Sequence, residues 1–228
     1  MKHINSVIGS ISALAGILLV ILIGVNSVLV QESFLNYTNQ KYSVEQNLSM
    51  TEEDLQKAVH GMISYVKGKA DTPQVTVQIK EQPVDFFNEK EIGHLEDVRL
   101  LLENVYASMW IMLVVCVVGA GYLIYKKQYL QIQKGVKRAW LFLLAISLVV
   151  GLLAIIDIDL VVTGFHKMFL SDSQWILNPA LDRSVWMFRS YMYADVLLAL
   201  AGIVVATAAI SIGPLVAYKL KKNNHKKR

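Results

Sequence analysis

Residues 105–125 read VYASMWIMLVVCVVGAGYLIY, an apolar run without a single Asp, Glu, Lys or Arg. A helix of this length rises about 1.5 Å per residue and covers the ~30 Å of hydrocarbon in a bilayer. Three more uncharged runs lie at residues 7–30, 139–156 and 196–218. Because backbone groups in lipid must be hydrogen-bonded within their own segment, and because these runs show no alternation, they predict four membrane-spanning helices.

The overall composition also indicates a membrane protein and excludes several other classes. Of the 228 residues, 54% are hydrophobic and only 18% are charged, against about 25% charged in soluble domains. The single cysteine, Cys116, cannot form an internal disulfide or a thiolate metal cage. The sequence lacks a P-loop, a dinucleotide-binding glycine motif, a G-x-S-x-G elbow and an H-E-x-x-H zinc site. Redox and phosphoryl-transfer enzymes are therefore not expected.

The charged residues predict which side of the membrane each segment faces. All 18 Asp and Glu residues lie in segments 31–104 and 157–195. The other side carries only cations: Lys2, Lys126, Lys127, Lys134, Lys137, Arg138, Lys219, Lys221, Lys222, Lys226, Lys227 and Arg228. By the positive-inside rule, both termini face the cytoplasm. The formal charge of +4 therefore reports topology, and the basic tail is interpreted as an anchor at acidic head groups rather than a nucleic-acid site.

These spans divide the chain into eight segments. They are the N-terminus with the first span (1–30), an extracytoplasmic cap (31–104), the second span (105–125), a cytoplasmic loop (126–138), the third span (139–156), an extracytoplasmic or interfacial segment (157–195), the fourth span (196–218) and a basic cytoplasmic tail (219–228). The predicted fold class is a mainly α membrane protein, with a four-transmembrane-helix bundle and a small mixed α/β extracytoplasmic cap.

Local patterns predict the elements of the cap. Thr51 begins a capping-box motif, and apolar residues follow at helical spacing up to Gly68, which predicts an amphipathic helix. Residues 74–80 alternate polar and apolar side chains, as a half-buried strand does, and Pro83 is expected to end any pairing soon after.

Two further elements are predicted on the same side of the membrane. A helix from about Asn88 continues without a breaker into the second span, with Gly93 as its only weak point. Segment 157–195 is rich in aromatic residues and methionine, a composition that suits the membrane interface. It is predicted to form a re-entrant or interfacial helix pair.

Two of the five histidines are candidates for chemistry. Glu91 and Asp97 lie three residues before and after His94, so either carboxylate can reach its imidazole. His166 lies in an aromatic patch at membrane depth, where a titratable group is costly unless it serves a function. Both fall near one membrane surface, where a pair could act on an ester near the head groups. The alternatives are a buried cluster that docks the cap and an ordinary interfacial histidine; the exposed histidines are His3, His60 and His225.

Two stretches resemble the paired motifs of the bacterial lipoprotein intramolecular transacylases, the Lit family. They are EKEIGHLEDV at residues 89–98 and GFHKMFLSDSQWILNPALD at residues 164–182. The resemblance extends over nearly the whole chain, although the first motif reads His-Leu-Glu-Asp where the family pattern has His-Met-x-Asp. It implies an enzyme of the bacterial cell membrane with its active site facing outside. Such an enzyme moves the sn-2 acyl chain of a diacylglyceryl lipoprotein to the α-amino group of its N-terminal cysteine, giving the lyso-form.

The resemblance also implies roles for individual residues. One of His94 and His166 acts as general base, and the other donates to the oxyanion or the leaving group. Asp97 and Glu91 orient His94. No metal, other cofactor or external acyl donor is implied, because the substrate carries its own ester.

The partners implied are the diacylglyceryl lipoprotein and membrane lipids, with Phe165 and Trp175 lining the lipid groove; no nucleic acid is implied, and the oligomeric state is not specified. Three alternatives remain open. A histidine or hydroxyl could carry the acyl group covalently, or His94, Asp97 and His166 could bind a divalent metal. The chain could also be a non-catalytic membrane sensor or assembly factor whose cap binds a partner.

Overall fold

The computed structural model describes residues 2–170, 174–189 and 192–226, and side chains from Lys2 and residues 214–226 are not considered. Its elements are α1 (Lys2–Val28), α2 (Glu32–Lys41), α3 (Val44–Leu48), α4 (Glu52–Val66), β1 (Thr76–Ile79), β2 (Gln82–Asp85), α5 (Glu89–Tyr125), α6 (Tyr129–Ile156), α7 (Ile158–Phe169), a 3-10 helix (Ser184–Phe188) and α8 (Tyr193–Lys226). The predicted interfacial segment at residues 171–173 and 190–191, and the tail at 227–228, lie outside the described residues.

Four of these helices are long and apolar enough to cross a membrane: α1, α5, α6 and α8. Their large side chains are mostly exposed, as shown by Trp110 at 70% and Ile155 at 83%. An apolar surface of this extent is not stable in water and requires lipid around it. The mainly helical fold with four apolar helices is thereby confirmed.

The second predicted helix of the cap is confirmed as the outer part of α5. This 37-residue helix begins at Glu89 and continues into the second span. The predicted loop after it is shorter than expected, because α6 already begins at Tyr129. Lys127, with a φ of 54°, lies in the short turn between the two helices. Because α6 begins so early, most of segment 126–138 is helical.

The chain divides into two compact units, and the first contains Met1–Val25, Ala107–Val161 and Leu200–Arg228. Helices α1 and α6 approach closely here, because a Cβ on Gly9 would lie 2.6 Å from the carbonyl oxygen of Gln131 and one on Gly135 would overlap the carbonyl of Gly9. Small residues allow this backbone contact between helices in membranes. The indole of Trp140 donates to Oγ of Ser211 (3.0 Å), which connects α6 with α8.

The second unit contains Asn26–Tyr106 and Val162–Ala199. The predicted helix after Thr51 is confirmed as α4, where Thr51 accepts a hydrogen bond from the amide of Asp54 (3.1 Å). Gly68 follows it with a φ of +69°, a conformation that glycine adopts without strain. The apolar face of α4 lies in one core with side chains from the hairpin, α5 and the residues before α8: Leu55, Val59, Met62, Val77, Phe86, Phe87, Leu95, Met187 and Met192.

The expectation that Pro83 ends strand pairing is wrong. Pro83 lies inside β2 and is opposite Gln78 in an antiparallel hairpin. The two turn residues, Lys80 and Glu81, have φ values of 51° and 62°, as in the tight turns that suit the twist of a hairpin. A two-stranded sheet has only edge strands, where a residue without an N–H is tolerated.

The predicted helix pair of segment 157–195 is only half correct. α7 is an α-helix, but the described residues after it form irregular chain and a five-residue 3-10 helix. Pro179 favours a turn here, and Asn178 accepts hydrogen bonds from the amides of Leu181 and Asp182. The 3-10 helix places Met187 in the core of the second unit, where it is fully buried. The segment is therefore part of the core of the second unit and not only a surface element.

We expect Met187→Ala to destabilise the protein by about 2–5 kcal/mol, because it removes a fully buried side chain and leaves a cavity in the core. Met168→Ala is the matched control, since Met168 belongs to the same segment but is 75% exposed. Thermal unfolding of both variants in the same detergent measures the difference. Equal unfolding temperatures would contradict the assignment of Met187 to the core.

Candidate active site

His94 and His166 lie close together in the second unit. His94 is on α5, His166 is on α7, and their ring centroids are 6.0 Å apart with an interplanar angle of 32°. Both side chains are half-buried. Two imidazoles at this separation can reach one small group bound between them, as general acid and base catalysis requires.

The ring of His166 is fixed by a hydrogen bond within its own helix. Nδ1 lies 2.8 Å from the carbonyl oxygen of Val162. A carbonyl oxygen only accepts, so Nδ1 carries a hydrogen and, in the neutral ring, the lone pair is on Nε2. Nε2 is therefore the nitrogen of His166 that is available for proton transfer.

Aromatic side chains enclose His166 on two sides. Trp175 stacks on the imidazole with a centroid distance of 4.8 Å and an interplanar angle of 29°. Phe165 meets its edge at 5.7 Å and also contacts Phe169 at 4.9 Å. Phe165 and Phe169 are about half exposed, so the surface beside the imidazoles is apolar and open.

The two carboxylates predicted to orient His94 differ in their surroundings. Asp97 is half-buried on α5, three residues beyond His94. Glu91 is buried, and its two oxygens accept backbone hydrogen bonds from Asn88 (2.8 Å) and Ser184 (2.6 Å). That Glu91 orients His94 stays a prediction. Its carboxylate holds the start of α5 and the start of the 3-10 helix.

Asn88 and Glu91 together form a capping box at the N-terminus of α5. The side chain of Asn88 accepts from the amide of Glu91 (2.9 Å), while Glu91 accepts from the amide of Asn88. The spacing Asn-x-x-Glu is a capping signal that can be read from the sequence.

Asp182 is a second buried carboxylate, which the sequence analysis did not identify. It accepts hydrogen bonds from the side chain of Asn88 (2.8 Å) and the amide of Asn178 (2.6 Å), and Lys90 lies 3.8 Å away. Lys90 also donates to the carbonyl of Ile176. No local pattern marks Asp182, because its partners on α5 are far away in sequence.

Arg183 connects the same segment with the hairpin. Its guanidinium donates to the carbonyl oxygens of Asp85 and Phe86, each at 3.0 Å.

In residues 2–170, 174–189 and 192–226, no three His, Cys, Asp or Glu side chains are grouped so that they could hold a metal ion.

A family model described as lipoprotein intramolecular transacylase Lit matches residues 10–191. The chain belongs to the Lit family. This match covers both histidine motifs and confirms the resemblance on which the sequence analysis relied. The protein is therefore a transacylase of a family that acts on lipoproteins, and with four apolar helices it is a multi-pass membrane protein.

Solved structures support the same Lit fold. The chain is similar to the membrane-integral lipoprotein intramolecular transacylase Lit from Bacillus cereus, with a TM-score of 0.75 and 16% identity over 99% of this chain and 100% of that one. It is equally similar to two variants of the Bacillus cereus protein in which a histidine is replaced by arginine or alanine, again with a TM-score of 0.75 and 16% identity. The arginine variant is matched over 99% of this chain and 96% of the variant, and the alanine variant over 98% and 97%. At this identity, the likeness shows a shared fold. A comparison with curated protein sequences gives no match.

We expect Asp182 to make the stability of this Lit protein sensitive to acid. Burial by itself raises the pKa of Asp182, but the hydrogen bonds from Asn178 and Asn88 and the charge of Lys90 outweigh it, so that the pKa lies below the usual 3.8. A carboxylate with a lowered pKa stabilises the fold above its unfolded value, and this contribution is lost as the pH falls through the folded value.

The difference in unfolding temperature between wild type and Asp182→Asn should therefore be large near neutral pH and shrink below pH 3.8. Asp71→Asn makes the same change at an exposed carboxylate and serves as the control. A difference that stays constant down to pH 2.5 would contradict the assignment.

Proposed function

We propose that this protein transfers the sn-2 acyl chain of a diacylglyceryl lipoprotein to the α-amino group of the lipoprotein's own N-terminal cysteine. The product is the lyso-form, with an N-acyl group and an S-monoacylglyceryl group. The observation that carries the proposal is the pair formed by His94 and His166, 6.0 Å apart in a member of a lipoprotein transacylase family.

The reaction needs one proton to move from nitrogen to oxygen. The amine attacks the ester carbonyl, a C–N bond forms and the tetrahedral oxyanion then expels the glycerol oxygen. One imidazole takes a proton from the attacking nitrogen, and the other donates to the oxyanion or to the leaving oxygen. His166 acts through Nε2, because Nδ1 is engaged with Val162. Asp97 orients His94 from the next turn of α5.

The surroundings of the two rings suit a substrate that is held in lipid. On α7, Phe165 and Phe169 are about half exposed and Met168 is largely exposed, as is Leu181 further along the same segment. Apolar side chains of this size gain free energy when acyl chains cover them. Phe165 lines the acyl groove, and Trp175 lines it with the face that does not contact His166.

The proposed topology follows from the distribution of charge. Helices α1, α5, α6 and α8 form a bundle in the cytoplasmic membrane, with both termini inside. The second compact unit is the extracytoplasmic cap, where a lipoprotein in the outer leaflet presents its ester and amine. The twelve Lys and Arg residues in the segments that contain no Asp or Glu then face the cytoplasm.

The histidines are tested by single substitutions in a host without its own Lit enzyme. We expect His94→Ala and His166→Ala each to lower the yield of lyso-form lipoprotein at least ~100-fold, since each removes a proton-transfer group. His60→Ala is the control, because His60 is exposed and its described partner is Glu32 on α2. Mass spectrometry of the N-terminal lipopeptide measures the product, and wild-type activity in either active-site variant would defeat the assignment.

The same assay separates the alternatives. If the double histidine variant forms no product but retains its function in cells, a sensor or assembly factor is favoured. An acyl adduct on the protein would indicate a covalent route. Loss of activity with a chelator, restored by a divalent ion, would indicate a metal centre.

The topology is tested with single cysteines in a Cys116→Ala background. Glu81→Cys in the hairpin turn should react with a membrane-impermeant maleimide on intact cells, whereas Gln128→Cys, between α5 and α6, should react only after the membrane is opened. Labelling of residue 128 in intact cells would reverse the proposed orientation.

A further inference from the structure

Gly93 is an unexpected residue in the outer part of α5. A glycine in a helix interior is less favourable than alanine, and residue 93 has ordinary helical geometry that any residue adopts. Backbone conformation therefore does not explain it. The explanation lies in a side chain from the segment after α7.

Gln174 occupies the space that a side chain at position 93 would fill. A Cβ on Gly93 would overlap Oε1 of Gln174, and it would lie 2.6 Å from Cδ and 3.0 Å from Nε2. The amide of Gln174 thus lies directly on the backbone of α5, next to His94. We call the space beside Gly93 that holds this side-chain amide the Gly93 notch.

The residue after Gln174 contacts the other histidine. Trp175 stacks on His166 at 4.8 Å. Two consecutive residues therefore contact both sides of the proposed site. The side-chain amide of Gln174 contacts Gly93, the residue before His94, and the indole of Trp175 contacts the ring of His166. The two imidazoles on either side of this dipeptide are 6.0 Å apart.

We propose that Gln174 is a positioning residue for the transacylase reaction, and that the Gly93 notch fixes the separation of His94 and His166 by seating its amide. This inference rests on the proposed function. A carboxamide is uncharged and presents both donors and an acceptor, so its contact with Gly93 adds no charge to the site. The notch has no room for it once residue 93 has a Cβ.

The substitution Gly93→Ala tests the role of this contact with little risk to the fold. The atoms that Gly93→Ala would displace are at the far end of a flexible side chain, so the amide can move away while the fold remains. Alanine also favours the helix. The unfolding temperature should therefore stay the same or rise, while catalysis falls.

Gly121→Ala is the matched control on the same helix. Nothing lies within 4 Å of a Cβ built at Gly121, so the control makes the same chemical change in α5 without displacing a neighbour. If Gly93 were only a weak point of the helix, both variants would behave alike.

The experiment uses the full chain in proteoliposomes with a synthetic diacylglyceryl lipopeptide, and it measures kcat and KM separately. We expect Gly93→Ala to lower kcat ~10–100-fold with little change in KM, as displacement of a catalytic group by about 1 Å does. Gly121→Ala should stay within about two-fold of wild type, since a surface change of this kind has little effect.

Gln174→Ala and the double variant complete a cycle. Gln174→Ala should lower kcat to a similar extent, and adding Gly93→Ala should cause no further loss, because no amide remains to be displaced. Multiplied losses in the double variant would overturn the inference, and so would wild-type kcat in Gln174→Ala. If Gly93→Ala fails to fold, Gln174→Ala alone decides.

His94→Ala distinguishes the two levels of the proposal. If His94→Ala is inactive and Gly93→Ala retains the kcat of Gly121→Ala, the Gly93 notch has no positioning role and the proposed function stands. If His94→Ala is fully active, the assignment of His94 to the active site fails together with the inference that rests on it.

Discussion

The hydrogen bond from the amide of Ser184 to Glu91 is the contact on which the second unit depends. It joins the N-terminus of α5 to the segment that follows α7, at a point where the carboxylate is almost completely buried. A buried carboxylate is tolerated only if its oxygens are hydrogen-bonded, and Glu91 meets this condition with two backbone amides. Asp182 provides a second connection between the same two segments through Asn88.

This junction fixes the helix that carries His94. α5 is continuous from Glu89 to Tyr125, so fixing its first turn also fixes the direction of His94. The partner histidine is on a short helix without buried residues, and a helix of this kind takes its position from its neighbours. Trp175 is such a neighbour: it follows Gln174, which occupies the Gly93 notch, and it stacks on His166.

The elements that the sequence predicted are those with local signals. The four apolar spans, the Thr51 cap of α4 and the unbroken α5 each follow from residues that are adjacent along the chain. The pairing of Pro83 could not be predicted, because strand pairing depends on the partner strand. The burial of the interfacial segment could not be predicted either, because Met187 meets its core neighbours only in the folded chain.

The candidate site was predictable in part for the same reason. Both histidines could be assigned to one side of the membrane from topology, but their separation required coordinates. The bond between Glu91 and Ser184 could not be predicted, because spacing on a helix shows only the neighbours on that helix and Ser184 belongs to another segment. Gly93 was interpreted as a weakness for the same reason, since Gln174 comes from a distant part of the sequence.

The bond between His166 and the carbonyl of Val162 has a consequence for turnover. A ring held through Nδ1 takes up and releases protons at the same nitrogen, so it does not relay them from one face of the site to the other. In the proposed acyl shift the amine loses one proton and the glycerol oxygen gains one, so no net proton is consumed. Because one imidazole takes the first proton and the other gives the second, the two rings end the cycle with their protonation states exchanged, and one proton has to pass from ring to ring before the next turnover. For His166 that proton also passes through Nε2, since Nδ1 is engaged with Val162.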